Sequence, residues 1–160
     1  MRIDRCATGL AAAIALLAAC AGPDSQTDPA TSFTATMVGS NEVPAVTTAA
    51  SGSASLAISG TSLNYTVNVS SITAVTVSHI HVGAAGANGT VRVNLCGTGA
   101  PAPACTSGTG VLATGTATVI SPGITFDSLV SALRSFGAYV NVHTTANGGG
   151  EIRGQIFGVY

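Results

Sequence analysis

From Phe33 to the end of the chain, apolar residues recur at every second position in short runs broken by glycine, not at every third or fourth. A period of two sends alternate side chains to opposite faces of an extended strand, and no helix keeps such a pattern on one side. Eight runs carry it: FTATMVG, GSASLAIS, SLNYTVNVS, AVTVSHIHV, GTVRVNL, GVLATGTATVI, GAYVNVHT and GEIRGQIF. Gly60-Thr61, between the second and third, is a hairpin signal. Eight short strands with turn residues between them predict an all-β domain, an antiparallel β-sandwich of Greek-key type or a closed barrel.

One segment departs from this period. In TFDSLVSALRSFG, Phe126, Leu129, Val130, Leu133 and Phe136 recur at helical spacing. Thr125 can cap the first turn, Asp127 suits the positive end of the helix dipole, and Gly137 stops it. A single short helix over 126–136 is predicted, packed across the end or side of the β-domain.

The N-terminal stretch MRIDRCATGLAAAIALLAACAG places Arg2 and Arg5 before an apolar run from Ala7 to Ala19, too short to span a bilayer, and reads as a secretory signal. Leu17-Ala18-Ala19-Cys20 resembles the lipobox of bacterial lipoproteins. That resemblance implies removal of 1–19, lipidation of Cys20 and membrane attachment in a bacterial cell envelope. An ordinary signal cleaved nearby is the alternative. Ala21 is not the aspartate that resembles an inner-membrane retention signal, which favours the outer membrane and a periplasmic or extracellular domain. Residues 20–32, small, polar and proline-bearing, read as a flexible tether, and 33–160 as one domain.

With the signal removed, Cys6 leaves and Cys20 takes lipid, so Cys96 and Cys105 remain as a pair. In an exported chain that remainder predicts a disulfide closing the loop CGTGAPAPAC; a metal pair would need further Cys or His ligands at short spacing. The remaining charges are Arg92, Arg134 and Arg153 against Asp24, Asp28, Glu42, Asp127 and Glu151, three cations to five acids or −2, with no lysine. Such a surface offers phosphates no basic footprint and argues against a nucleic-acid partner. Asn64, Asn68 and Asn88 each begin an Asn-x-Ser/Thr triplet, a pattern common by chance in a chain so rich in Asn and Thr.

Four separated segments, GSNEVPAV at 39–46, VSHIHVGAAGANGTVRVNL, YVNVHT and GGEIRGQI, together resemble the CHRD domain, the module repeated in chordin and found alone in exported microbial proteins. The resemblance implies a β-sandwich binding module without established catalysis. The CGTGAPAPAC loop departs from it and reads as an insertion. A weaker similarity joins His-x-His on one strand and a histidine late on another to the copper-zinc superoxide dismutases. The bridging histidine and zinc-loop ligands of those enzymes have no counterpart here.

His79, His81 and His143 are the chain's only histidines. On a strand, His79 and His81 share a face roughly 6–7 Å apart. Tyr139, Asn141 and His143 share a face of another strand, so a third imidazole could complete three ligands for copper or zinc. The competing reading has the histidines bonding backbone groups at the base of the Gly83–Gly89 turn. Glu151, Arg153 and Gln155 likewise share a face; Glu151 and Arg153 could form an ion pair, anchor a ligand, or add Glu151 as a metal ligand. Glu42, before Pro44, marks either a strand end or a binding loop. No paired carboxylates and no nucleophile elbow are present, so no residue is assigned as catalytic. The sequence therefore supports a lipid-anchored envelope module for an unidentified protein or small-molecule ligand, with a mononuclear copper or zinc protein as the alternative.

Overall fold

The computed structural model describes residues 29–98, 102–106, 108–118 and 123–160. The signal at 1–19, Cys20 and most of the tether lie outside the described residues. Among the described residues nine strands and one α-helix follow in order, with a 3-10 turn at Gly39–Asn41 after the first strand: β1 Ser32–Val38, β2 Ser51–Ser59, β3 Ser62–Ile72, β4 Val75–Val82, β5 Thr90–Cys96, β6 Gly108–Ala117, α1 Phe126–Arg134, β7 Ala138–Thr144, β8 Ile152–Gln155 and β9 Phe157–Val159.

All strand pairs are antiparallel, and the sheet runs β5-β4-β7-β8-β1-β2-β3-β6. Its two end strands, β5 and β6, come back against each other. Across that seam the Tyr65 hydroxyl of β3 donates to Leu95 O of β5 at 2.6 Å, and the Cys96–Cys105 disulfide ties the end of β5 to the segment that leads into β6. The result is an all-β sandwich curled nearly into a barrel, with the disulfide where the cysteine count puts it. β3 and β4 are joined by only Thr73 and Ala74 but are not neighbours in the sheet, so that link crosses the end of the barrel.

The alternation builds one core. Phe33, Ala35 and Met37 of β1, Leu63, Tyr65 and Val67 of β3, Val93 and Leu95 of β5, and Val140 and Val142 of β7 all point inward and are buried. Each large aliphatic or aromatic side chain removed from water contributes about 1.5–3 kcal/mol.

Two expectations shift. The last run divides at Ile156, yet its halves keep a single register on β1: Val38 faces Arg153, and Thr34 faces Phe157. The helix ends at Arg134, short of 136. Thr125 does cap it, its Oγ1 accepting from Ser128 N at 3.1 Å, and Leu129, Val130 and Leu133 are buried. Phe136 instead adopts φ 57, leaves the helix path and rests half-exposed against Phe157, ring centroids 5.4 Å apart. Once the chain turns left-handed there, the helical spacing of Phe136 no longer places it on the buried face.

β7 is the element that positions the site. All seven of its residues are buried, the polar ones included. One face meets the core; the other is roofed by the segments 39–50, 83–89 and 145–150. Asn41 Nδ2 donates to Arg153 O at 3.2 Å, Asn88 Nδ2 to Val43 O at 3.0 Å, and Thr48 Oγ1 to Glu151 Oε1 at 2.8 Å.

Candidate metal centre

Residues opposite one another in an antiparallel pair project to the same side. The registers set His81 beside Tyr139 and Tyr139 beside Gln155, then His79 beside Asn141 and Asn141 beside Arg153. His143 continues the face along β7. Three strands thus merge the polar faces of His-x-His, YVNVHT and GEIRGQI into one roofed array.

Within it the three imidazoles converge, one ligand nitrogen from each lying within 4.8 Å of the others. His143 Nδ1 is 3.0 Å from Gly148 O, and His81 Nδ1 is 3.0 Å from Gly89 O. A carbonyl only accepts, so both Nδ1 atoms carry the proton and both Nε2 atoms present a lone pair. His79 Nδ1 lies 3.3 Å from His143 Nε2. His81 Nε2 is buried with no hydrogen-bond partner among the described residues. The backbone-bonding and ligand readings are therefore not rivals: in His81 and His143 one ring nitrogen holds a loop, while the other is bare in His81 and meets only the His79 ring in His143.

Electrostatics favours the neutral, ligating form. Burial pushes His79 down to about 4, reinforced by His143 and His81. Burial also lowers His81 and His143, against the pull of their bonds to Gly89 and Gly148. Two nitrogens at about 2.0–2.1 Å from a tetrahedral ion lie about 3.4 Å apart. The His79–His143 pair already has that spacing, and separations of up to 4.8 Å need to close by up to about 1.4 Å. Carbonyl bonds from the non-ligating nitrogens are the support that fixes ring orientation at metal sites.

Tyr139 and Arg153 buttress the cluster. Tyr139 stacks on His81 at 4.8 Å with the planes 10° apart, and its hydroxyl accepts from Gly89 N at 3.0 Å. The Arg153 guanidinium sits 3.4 Å over the Tyr139 ring and donates to Asn88 Oδ1 and Ala87 O. Gly89 is obligatory in this turn, because a Cβ there would collide with the Val82 carbonyl.

Glu151 and Arg153 do not pair with each other, contrary to one expectation. Glu151 accepts from Thr144 at 2.7 Å and Thr48 at 2.8 Å. Burial raises its pKa, but hydrogen bonds from Thr144, Thr48 and Asn147 outweigh that and hold it below the usual range. Those bonds make it a roof fastener and leave it outside the histidine cluster. Glu42 is not a simple strand end: the roof carries it to 6% exposure, where Oε1 has no hydrogen-bond partner among the described residues. Burial pushes it up to about 7, against the opposing pull of Arg153 and the Val43 N–H.

Asn141, Asn88 and Gly150 were not singled out in the sequence as site residues. A Cβ on Gly150, which has φ 131, would lie 2.5 Å from both Glu42 Oε1 and Asn141 Oδ1. Asn141 alone left a signal, its place midway between Tyr139 and His143.

No curated protein and no solved structure matches this chain. Neither comparison supports the superoxide-dismutase likeness. The CHRD domain family model matches residues 33–156, which takes in β1 through Ile156, the histidine cluster and its roof. The chain belongs to the CHRD domain family.

Proposed function

We propose that this CHRD domain is a non-catalytic envelope module that binds one transition-metal ion through His79, His81 and His143. The observation that carries the reading is the convergence of three neutral imidazoles, two of them pinned through Nδ1 to loop carbonyls, on one point within the roofed face. An imidazole-only set suits copper and zinc, and Cu²⁺ binds such nitrogen donors more tightly than Zn²⁺, so copper is the favoured ion. Three protein ligands leave a position open for water or an exogenous donor. Attachment through Cys20 would hold the site at a membrane surface, where it could sequester or hand on the ion.

The test is equilibrium dialysis of the mature chain against Cu²⁺ and Zn²⁺ separately, with bound metal measured per chain beside a His79→Ala/His81→Ala/His143→Ala variant. The expected result is about one equivalent held by the native chain and lost in the variant. Absence of bound metal in the native chain would sink the reading. The anchor is tested separately by intact mass: a diacylglycerol increment on the mature chain, abolished in Cys20→Ser, is expected.

A further inference from the structure

Beside the histidine array, and separate from it, lies a cavity of about 470 Å³ between the outer side of β1, the 39–43 turn, the tip of the 83–89 loop and the β8–β9 strand. Its volume is within the range of small-molecule sites, about 300–1,000 Å³. A smaller cavity of about 170 Å³ adjoins it through the shared Glu42 and Val43.

The wall carries hydrogen-bonding groups of both kinds. Gln155 gives its amide protons to Gly83 O at 3.2 Å and Phe136 O at 2.6 Å, which leaves its carbonyl oxygen. Asn41 spends an amide proton on Arg153 O, and Thr34 spends its hydroxyl proton on Ala54 O. Arg153 is committed to Asn88, Ala87 and the Tyr139 ring. Thr36 and Ser40, both exposed on this wall, bring hydroxyls that donate and accept. The wall thus presents amide carbonyls that accept beside hydroxyls that can do either. Such a mixed wall suits a ligand whose own groups both donate and accept.

Charge and shape narrow the class. The wall carries one acid, Glu42, and one cation, Arg153, both buried, so the site favours neither a polycation nor a polyanion. Phe157, half-exposed at the rim, offers an apolar ring face. We propose that this cavity binds a neutral, hydroxyl-rich ligand about the size of a disaccharide, whose hydroxyls donate to Asn41 and Gln155 and share hydrogen bonds with Thr36 and Ser40 while one sugar face lies on Phe157.

The test is saturation-transfer NMR on the mature chain with cellobiose, maltose and di-N-acetylchitobiose, each up to about 10 mM, a range that detects millimolar affinity. Spermidine and citrate serve as charged counterparts. Two variants address the site at exposed positions that leave the core intact: Phe157→Ala removes the ring, and Ala85→Trp fills the cavity. Binding of at least one disaccharide, weakened tenfold or more in both variants, is expected. The same binding should persist in the triple histidine variant, because the cavity does not depend on the metal. Failure of all three sugars, binding unchanged in both variants, or binding of only a charged probe would each overturn the proposal.

Discussion

His79 Nδ1 stands 3.3 Å from His143 Nε2, although 64 residues separate the two in sequence. Neither residue reaches the other through its own strand. β4 and β7 are adjacent antiparallel strands, and their register sets Asn141 opposite His79 with His143 two residues further along. Two like groups, both buried enough to stay neutral, are held at the spacing of ligands on one ion.

His81→Ala removes a proposed ligand together with a loop-holding bond, and two readouts tell the roles apart. The variant loses the bond to Gly89 O and the stack on Tyr139, so a stability loss of about 1–2 kcal/mol is expected in urea denaturation. Copper affinity should fall at least tenfold, a larger effect than the packing loss alone would produce. An unchanged affinity would remove His81 from the metal set.

Two groups of opposite sign shape the pH dependence. The histidines are depressed, His79 to about 4, so the unfolded chain takes up protons near 6.5 that the fold refuses. Their contribution to stability is present above about 6.5 and is lost as pH falls towards 4. Glu42 is raised to about 7, so the fold keeps a proton that the unfolded chain releases near 4.5. Its contribution is present below 4.5 and is lost as pH rises through 7. Glu42→Gln removes the second dependence and supplies a donor for the bare Asn141 Oδ1. Stability of this variant should exceed that of the native chain by about 2 kcal/mol at pH 8 and match it near pH 4. Denaturant midpoints measured across that range check this, and a variant destabilised at pH 8 would contradict it.

Arg153→Lys keeps the charge and removes the fork. A lysine cannot reproduce the paired donation to Ala87 and Asn88 or the flat stack on Tyr139. With Arg153 only 2% exposed, the substitution should cost about 2–3 kcal/mol. A cost under about 0.5 kcal/mol, the level of an ordinary surface change, would show that the roof holds without it.

Reduction of Cys96–Cys105 should lower stability by about 2–3 kcal/mol, the loop-entropy value for a short closed loop. The comparison is a denaturation midpoint with and without reductant, repeated in a Cys96→Ala/Cys105→Ala variant. Equal midpoints would mean that β5 and β6 hold their seam unaided.

Much of this was legible in the sequence because strand faces alternate by a simple rule. The rule located the strands, put His79 with His81 and Tyr139 with His143, and counting cysteines identified the disulfide. It could not reveal that the polar face of β7 is covered, since alternation describes a strand and not what later lies over it. The roles of Glu42, Asn141 and Gly150 arise only where the 39–50 and 145–150 segments fold over that face. Glu151 and Arg153 misled because β8 begins only at Ile152: Glu151, just before it, is bonded to Thr144 and Thr48, and Arg153 to Asn88 and Ala87, partners that sequence spacing does not bring near. Phe136 failed because helical spacing is informative only while the backbone stays helical.

The most direct test of the metal reading is pulsed electron paramagnetic resonance on the Cu²⁺-loaded mature chain, counting coordinated imidazoles in the native protein and in each single His→Ala variant. Three imidazoles in the native chain, with one lost in every variant, is the predicted result. A native signal with no more than one imidazole, or one unaltered by all three substitutions, would contradict it.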